Sequence, residues 1–270
     1  MSDSEAVDDQ KIPSLRLDQR SRLVILSREI SPKKNLPQLP EIKKVGSGIF
    51  IVERKKRKII EFLEDIPHVR FRKAREMPKG DSRKKVPYQE PMYSIVVFSF
   101  EKPTQQQKKK MQRIIHRTPC IRLRPGVILL PHMRAKEKAR YFTQENGTSL
   151  FDSNEFAKEA RSVGAHVKRW ARLRLVNKQG ESLIQEAYKR MIEHEVGSIE
   201  SKLKAIEPHI KETSISTKKL REQYSNQSRK LKQLRNRHKI LRALWHYDEE
   251  KQLKRVYNFM LRTRRKIQER

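Results

Sequence analysis

The chain has few acidic residues, a single cysteine and no long apolar run. Its 270 residues include 64 lysines and arginines against 32 aspartates and glutamates, for a formal net charge of +32. Because such a charge repels itself, it favours a negatively charged partner. Nucleic acid is the commonest such partner, since cations at phosphates release condensed counterions. An anionic membrane surface and acidic proteins are the alternatives.

The cysteine content limits the covalent and metal chemistry of the chain. Cys120 is the only cysteine, which excludes an intramolecular disulfide and a multi-cysteine zinc site. This is typical of a reducing compartment, so we expect an intracellular, cytoplasmic location, associated with a nucleoid or a ribonucleoprotein. No apolar run approaches the roughly 20 residues that cross a bilayer, and the acidic start is unlike a signal peptide. We expect no integral membrane segment.

Signatures of catalysis are also missing. Gly46 and Gly48 lack the spacing and the following lysine of a phosphate-binding loop, and the histidines do not cluster at metal-ligand spacing. Cys120 is either a reactive thiol or a small buried hydrophobic residue, of which we favour the second. We therefore predict no enzymatic activity, no catalytic residue, no metal and no cofactor.

The first 92 residues are poor in regular patterns. We interpret residues 1–40 as an acidic tail and a proline-containing linker, in which residues 23–26 form a strand or a buried turn of helix. Residues 41–92 are predicted to hold a short helix from Ile49 to Ile66, ended by Pro67. A basic linker from Val69 to Pro91 follows. The whole N-terminal region is thus expected to be basic and flexible.

Residues 93–178 have the pattern of a folded domain. The predicted elements are a strand at 93–100, a helix at 103–117, strands at 121–124 and 127–130, a helix at 153–163 and a strand at 167–176. Pro125 and Gly126 supply the turn between the middle strands. The order predicts an α+β, ferredoxin-like domain, with two helices on one face of an antiparallel sheet.

Residues 181–270 change to a helical pattern. Apolar residues recur at alternating gaps of three and four, from Ile192 to Ile210 and from Leu220 to Leu241. After a phase shift the stripe continues through Leu253, Tyr257 and Met260. These are coiled-coil spacings, so we predict an antiparallel helical hairpin. The hairpin closes within one chain, between two chains of a homodimer, or with a protein partner.

Part of the chain resembles a known family. The strand from Tyr93 to Phe100, the basic helix after it and the run from Leu123 to Pro131 resemble the Cas2-like ferredoxin domain, as found in PaaX-type transcriptional repressors and ChrB-type chromate-resistance regulators. The likeness covers about Tyr93 to Val176. It implies a ferredoxin-like fold and a DNA-regulatory setting.

Two departures limit what this resemblance implies. Cas2 nucleases place a metal-binding aspartate at the end of the first strand, where this chain has Ser99, Phe100 and Glu101. PaaX-type repressors also carry an N-terminal winged helix, which has no convincing counterpart before Tyr93. The resemblance therefore carries over neither an activity nor an effector ligand.

The basic residues are the strongest candidate site. Acidic partners at helical spacing are largely missing around them, so ordinary ion pairing does not account for their charge. Trp170 is included because a ring between arginines on an exposed strand can stack a base; the alternative is a place in the core. The predicted nucleic-acid-binding residues are Lys108, Lys109, Lys110, Arg113, Arg117, Arg122, Arg124, Lys168, Arg169, Trp170, Arg172, Arg174, Arg229, Lys232, Arg235, Arg237, Lys239, Arg242, Arg262, Arg264 and Arg265.

The sequence thus predicts a non-enzymatic nucleic-acid-binding protein that contacts mainly the phosphate backbone. DNA is favoured over RNA, in a regulatory or architectural role, because the family resemblance points there. An RNA-binding component of a ribonucleoprotein or ribosome-associated assembly is the nearest alternative. A Cas2-like metal-dependent nuclease and a coiled-coil scaffold are the other two.

Overall fold

The computed structural model describes residues 17–18, 20–30, 42–53, 61, 63–75, 90–142, 150–211 and 215–270. Within them the chain is α+β, with one eight-stranded antiparallel sheet and six helices. The strands are β1 (Ser21–Leu26), β2 (Ile42–Gly46), β3 (Ile49–Glu53), β4 (His68–Lys73), β5 (Tyr93–Ser99), β6 (Ile121–Arg124), β7 (Val127–Pro131) and β8 (His166–Leu175). The helices are α1 (Gln105–His116), α2 (Ala135–Phe142), α3 (Ser153–Ser162), α4 (Lys178–Lys211), α5 (Thr217–Trp245) and α6 (Glu250–Gln268).

The sheet consists of two similar halves. Its strand order is β2-β3-β1-β4-β8-β5-β7-β6, so β1–β4 form an N-terminal half and β5–β8 a C-terminal half. In each half the first strand lies between the fourth strand and a hairpin made by the second and third. The fourth strands, β4 and β8, pair with each other and join the halves.

The two hairpins share their turn geometry. Gly48 and Gly126 end the two turns with the same φ of 72°, in the left-handed region that favours glycine. The amide of Leu26 donates to the Gly48 carbonyl at 2.9 Å, and the amide of Phe98 donates to the Gly126 carbonyl at 2.8 Å. Each hairpin also carries one register shift just before its turn. The halves therefore repeat one local structure.

The sheet packs on both faces. Its inner face combines residues of both halves, such as Leu23, Phe71 and Leu173, with the buried stripe of α4 that begins at Ile184 and Tyr188. On the outer face, α1 and α3 cover the C-terminal half. The segment that includes Leu63 and Ile66 covers the N-terminal half. The outer surface of the β4–β8 junction lies between these two coverings.

Capping fixes the two helices of the outer face. Thr104 accepts from the Gln107 amide while the Gln107 side chain accepts from the Thr104 amide, which is a capping box. Asp152 and Glu155 form the same box at the start of α3. Each box satisfies amides that have no partner inside the helix, and so defines where the helix begins.

The three C-terminal helices pack together. Helix α5 ends at Trp245, where His246 adopts a φ of 63°. Helix α6 then returns and packs against both α4 and α5. Lys266 lies 2.7 Å from Glu207 across the α4–α6 contact. The indole N–H of Trp245 donates to the Met92 carbonyl at 3.1 Å and thereby ties the end of α5 to the start of β5.

Two predictions for the N-terminal region are wrong. The segment Ile49–Glu53, predicted as the start of a helix, is strand β3, and the segment His68–Lys73, predicted mostly as linker, is strand β4. Residues 49–52 are buried on both faces of the sheet. A short continuous apolar run of this kind does not distinguish a strand from a helix. Residues 23–26 do form a strand, whereas the predicted acidic tail, residues 1–10, lies outside the described residues.

Predictions for later elements fare better, with one error. The strands and helices expected between residues 93 and 176 are confirmed by β5, α1, β6, β7, α3 and β8. The apolar stripe that begins at Leu220, predicted to belong to one long second helix of the hairpin, is divided between two helices, because α5 ends at Trp245 and α6 follows. A search of the described helices for a span that could cross a bilayer finds none.

Candidate nucleic-acid interface

A cluster of arginines lies on the outer face of the β4–β8 junction. Arg72 pairs in register with Arg174, between the pairs Phe71–Leu175 and Lys73–Leu173. Phe71 and Leu173 belong to the inner core, and successive side chains of a strand alternate between faces. Arg72 and Arg174 therefore lie on the outer face. With their neighbours they form a set that we name the seam arginines: Arg70, Arg72, Arg169, Arg172 and Arg174.

The seam arginines have few acidic partners. Of these five arginines, only Arg174 makes an ion pair with a described carboxylate, that of Glu90, at 3.5 Å. The Nε atoms of Arg70 and Arg174 are buried and have no hydrogen-bond partner. The Nε of Arg169 donates to Ser153 Oγ at 3.1 Å, and burial lowers the pKa of this guanidinium. The junction thus holds concentrated positive charge with unused donors.

His132 lies beside this cluster, and the charges of two seam arginines affect its pKa. Its Nδ1 lies 3.2 Å from Ser94 Oγ. Burial lowers its pKa to about 4, and the positive charges of Arg172 and Arg169 act in the same direction. The imidazole is therefore neutral at physiological pH and adds no cation to the site.

An irregularity in β8 corrects the prediction for Trp170. Tyr93 pairs with Leu173 while Ile95 pairs with Trp170, so β8 holds one extra residue here. Arg172, within this bulge, has a φ of 57°. The bulge turns Trp170 and Leu173 to the same inner face, and Trp170 is only 7% exposed. The ring is a core residue, not a stacking platform on the surface.

Two predicted arginines are also buried and have structural partners. Arg124 reaches from the β6–β7 hairpin to the N-terminal half, where its guanidinium donates to the carbonyls of Leu26, at 3.1 Å, and of Ser27. Arg237 is 3% exposed and pairs with Glu195 of α4. Both guanidinium groups are thus unavailable to a nucleic acid, and we exclude them from the interface together with Trp170.

The other predicted residues lie on several surfaces. Arg117, the residue after the end of α1, is only partly exposed. Its guanidinium carbon lies 4.2 Å from the centre of the Phe151 ring. Lys168 is half-buried and its amino group lies 3.5 Å from the Val45 carbonyl. Arg242 is exposed but pairs with Asp248 and Glu250. The exposed remainder is Lys108, Lys109, Lys110, Arg113, Arg122, Arg229, Lys232, Arg235, Lys239, Arg262, Arg264 and Arg265.

A groove of about 990 Å³ separates part of α5 from α6. Lys232, Arg235 and Lys239 of α5 line it, and Tyr257 of α6 lies at its surface. The guanidinium carbon of Arg235 is 5.1 Å from the centre of the Tyr257 ring. The coiled-coil pattern assigned Tyr257 to the apolar stripe, but this side chain is 42% exposed. The groove thus joins an aromatic ring to unneutralised cations.

Sequence reasoning did not include Arg70 and Arg72 among the candidate residues. It assigned both to a basic linker, and the signal that they occupy a strand is the alternation of Val69 and Phe71 with them. That alternation spans too few residues to identify a strand from the sequence alone.

Metal chemistry finds no support in the described part of the chain. No three histidine, cysteine, aspartate or glutamate side chains converge there. Glu101, the only acidic residue near the position of the Cas2 aspartate, is 88% exposed and lies 4.0 Å from His166.

Comparison with protein-family models, with curated proteins and with solved structures finds no match to this chain.

Proposed function

We propose that the protein binds nucleic acid through phosphate contacts made by the seam arginines. The observation that carries this proposal is the placement of Arg72 directly opposite Arg174 on the outer face of the sheet. Like charges at directly opposed positions destabilise a sheet. A phosphate chain lying along the junction would neutralise both guanidinium groups and relieve their repulsion.

The charge around the junction favours an extended polyanion over a single anion. Arg161, near the end of α3, is close enough to Arg169 to help lower its pKa. Positive charge therefore continues from the two strands onto the neighbouring helix. A nucleic-acid backbone presents one negative charge every few ångströms and matches such a track.

We propose further that residues 93–175 are a ferredoxin-like unit, related to the Cas2-like domains, and that β1–β4 are a second copy of its strand arrangement. The order β8-β5-β7-β6 with α1 and α3 on one face supports this. Helices α4 and α5 cover the opposite face, so the proposal assigns binding to the outer face. DNA in a regulatory or architectural role is the favoured ligand, and no catalysis is assigned.

Binding of the full chain to matched DNA and RNA, each as duplex and single strand, over a salt series tests the proposal. We expect tight binding whose logarithm falls steeply with the logarithm of salt. Arg72→Gln and Arg172→Gln should each reduce that slope by about one. Lys43→Gln is the matched control, because Lys43 is an exposed strand cation whose in-register neighbour on β3 is Ile51 rather than an arginine.

Three results of the same binding experiments would contradict the proposal. Weak binding that is insensitive to salt overturns the proposal. Equal effects of Arg72→Gln and Lys43→Gln would move the interface away from the junction. Cleavage of the substrate in the presence of magnesium or manganese would replace binding by a nuclease activity.

A further inference from the structure

We propose that the groove between α5 and α6 takes an unpaired base of single-stranded nucleic acid, stacked on Tyr257. This inference rests on the proposed function but concerns a different surface. The seam arginines lie on the outer face of the sheet, whereas α4 and α5 pack on its inner face. The two sites therefore contact a nucleic acid independently.

The exposure of Tyr257 is the first observation. Among the described residues it is the only large apolar or aromatic side chain that is exposed, at 42%. A ring exposed in this way is available to stack on a base. The ring is not free to turn into the bundle, because Leu253 and Met260 of the same helix already occupy the buried face.

The chemistry of the groove is the second observation. Leu231, Leu253 and Met260 are buried side chains that line it, so its floor is apolar. Its volume of about 990 Å³ is at the upper end of the range typical of small-molecule sites. This volume is large enough for a base with its sugar.

The charge of the groove is the third observation. Glu250 forms ion pairs with Arg242 and Lys254, and Asp248 forms a second one with Arg242. Lys232, Arg235 and Lys239 have no carboxylate partner among the described residues. The Arg235 guanidinium lies over one face of the Tyr257 ring, so the proposal places the base against the opposite face. An apolar floor, a ring and unpaired cations together complement a flat aromatic base that carries phosphates.

These features favour a single strand over the other occupants. A duplex covers both faces of each base by stacking, whereas an unpaired base offers a free face to a tyrosine. A second copy of this chain would bring another net charge of +32 to a basic groove, and like charges disfavour that contact. An acidic peptide would use the cations but not the ring.

The test compares Tyr257→Leu with Tyr257→Phe in the full chain, using a single-stranded oligonucleotide and a duplex of the same sequence. Leucine keeps the apolar character but removes the ring, and phenylalanine keeps the ring. We expect Tyr257→Leu to weaken single-strand binding by about 5- to 150-fold and Tyr257→Phe to bind almost as the unaltered chain does. Duplex binding and the salt slope should not change, because no charge is removed. An oligonucleotide containing 2-aminopurine should lose fluorescence on binding to the unaltered chain but not to Tyr257→Leu.

Several outcomes overturn this inference. If Tyr257→Leu keeps full single-strand affinity while Arg72→Gln weakens duplex binding, the base site is wrong and the seam interface stands. If the chain binds neither nucleic acid, both proposals fall. If a polyglutamate peptide displaces the oligonucleotide with equal affinity and Tyr257→Leu leaves that affinity unchanged, the groove is an acidic-peptide site. Thermal unfolding of each variant confirms that it is folded, as expected for a substitution at an exposed position.

Discussion

Arg72 of β4 lies directly opposite Arg174 of β8, in the strand pair that joins the two halves of the sheet. Strand pairs normally place opposite charges or apolar side chains at such positions. Here Glu90 is the one described carboxylate that pairs with either guanidinium, and it contacts Arg174 at 3.5 Å. Removing one of these two positive charges should therefore raise the stability of the free protein and weaken its binding to nucleic acid.

Replacing Arg72 by glutamine should stabilise the free protein slightly. The change removes the repulsion with Arg174 and keeps a long polar side chain, so we expect a gain of about 0.2–1 kcal/mol in the free energy of unfolding. Urea titrations of Arg72→Gln, of Lys43→Gln and of the unaltered chain measure it. A clear loss of stability in Arg72→Gln alone would mean that the opposed arginines stabilise the junction.

Arg122 and Arg124 should have different roles although they are two residues apart on β6. Arg124→Met removes donors from the carbonyls of Leu26 and Ser27, so we expect a loss of about 1.5–3 kcal/mol in stability. Arg122→Met alters an exposed side chain and should leave stability within about 0.5 kcal/mol. Denaturant titration of the two variants is the measurement. Equal stabilities would contradict the buried position of Arg124.

His132 should make the protein less stable in acid. Its pKa in the folded state is about 4, lowered from 6.5 mainly by burial, while Asp152 and Glu137 act against the lowering. Between these two values the unfolded chain binds more protons, so the free energy of unfolding falls as the pH falls through this window. His132→Gln should flatten that dependence, whereas His166→Gln, at an exposed position, should not. Urea titrations at several pH values between about 4 and 7 test this, and identical slopes in all three chains would contradict it.

Cys120 should be unreactive in the folded protein. It is fully buried, its thiol lies 3.9 Å from the Ile115 carbonyl, and burial raises its pKa to about 12. Because the thiolate is the reactive form, labelling with a disulfide reagent at neutral pH should proceed only in denaturant. Stoichiometric labelling of the native chain within minutes would show that the thiol is accessible, and a Cys120→Ala variant corrects for background.

The packing of the C-terminal helices rests on fully buried leucines. Leu234 of α5 is completely inaccessible to solvent, so Leu234→Ala should lower the free energy of unfolding by about 2–5 kcal/mol through lost burial and a cavity. Asn236→Ala, two residues away and exposed, should change it by less than about 0.5 kcal/mol. Thermal unfolding of both variants compares the two effects, and similar melting temperatures would mean that α5 does not pack in this register.

The elements between residues 93 and 176 could be predicted because each shows one clear signal. Tyr93–Ser99 is rich in β-branched and aromatic residues, and Pro125 with Gly126 marks a turn. Helix α4 shows its buried face directly, in Ile192, Val196 and Leu203. That this unit is ferredoxin-like stays a proposal, as do its resemblance to Cas2-like domains and its nucleic acid.

The N-terminal half could not be predicted because its strands depend on distant partners. Strand β4 is six residues long, with arginines at alternate positions 70 and 72 and a lysine directly after the second. It is held by β1 on one side and β8 on the other. Such non-local pairing leaves little trace in the local sequence. The bulge at Arg172 could not be predicted for a similar reason, because it is defined by the pairing of β8 with β5. The inward orientation of Trp170, which depends on this bulge, was therefore not predicted either. Tyr257 fitted a helical stripe with Leu253 and Met260, and the sequence pattern did not show that its side chain is exposed.

The β4–β8 pair also makes the two halves inseparable. Without its partner each of these strands would offer a row of free amides and carbonyls, which is the template on which foreign strands assemble into aggregates. A protease cut between residues 75 and 90 would leave the β4–β8 pair intact. Expressing either half by itself would instead expose β4 or β8 as an unpaired edge strand. Each half of the sheet therefore covers the edge strand of the other and protects it from aggregation.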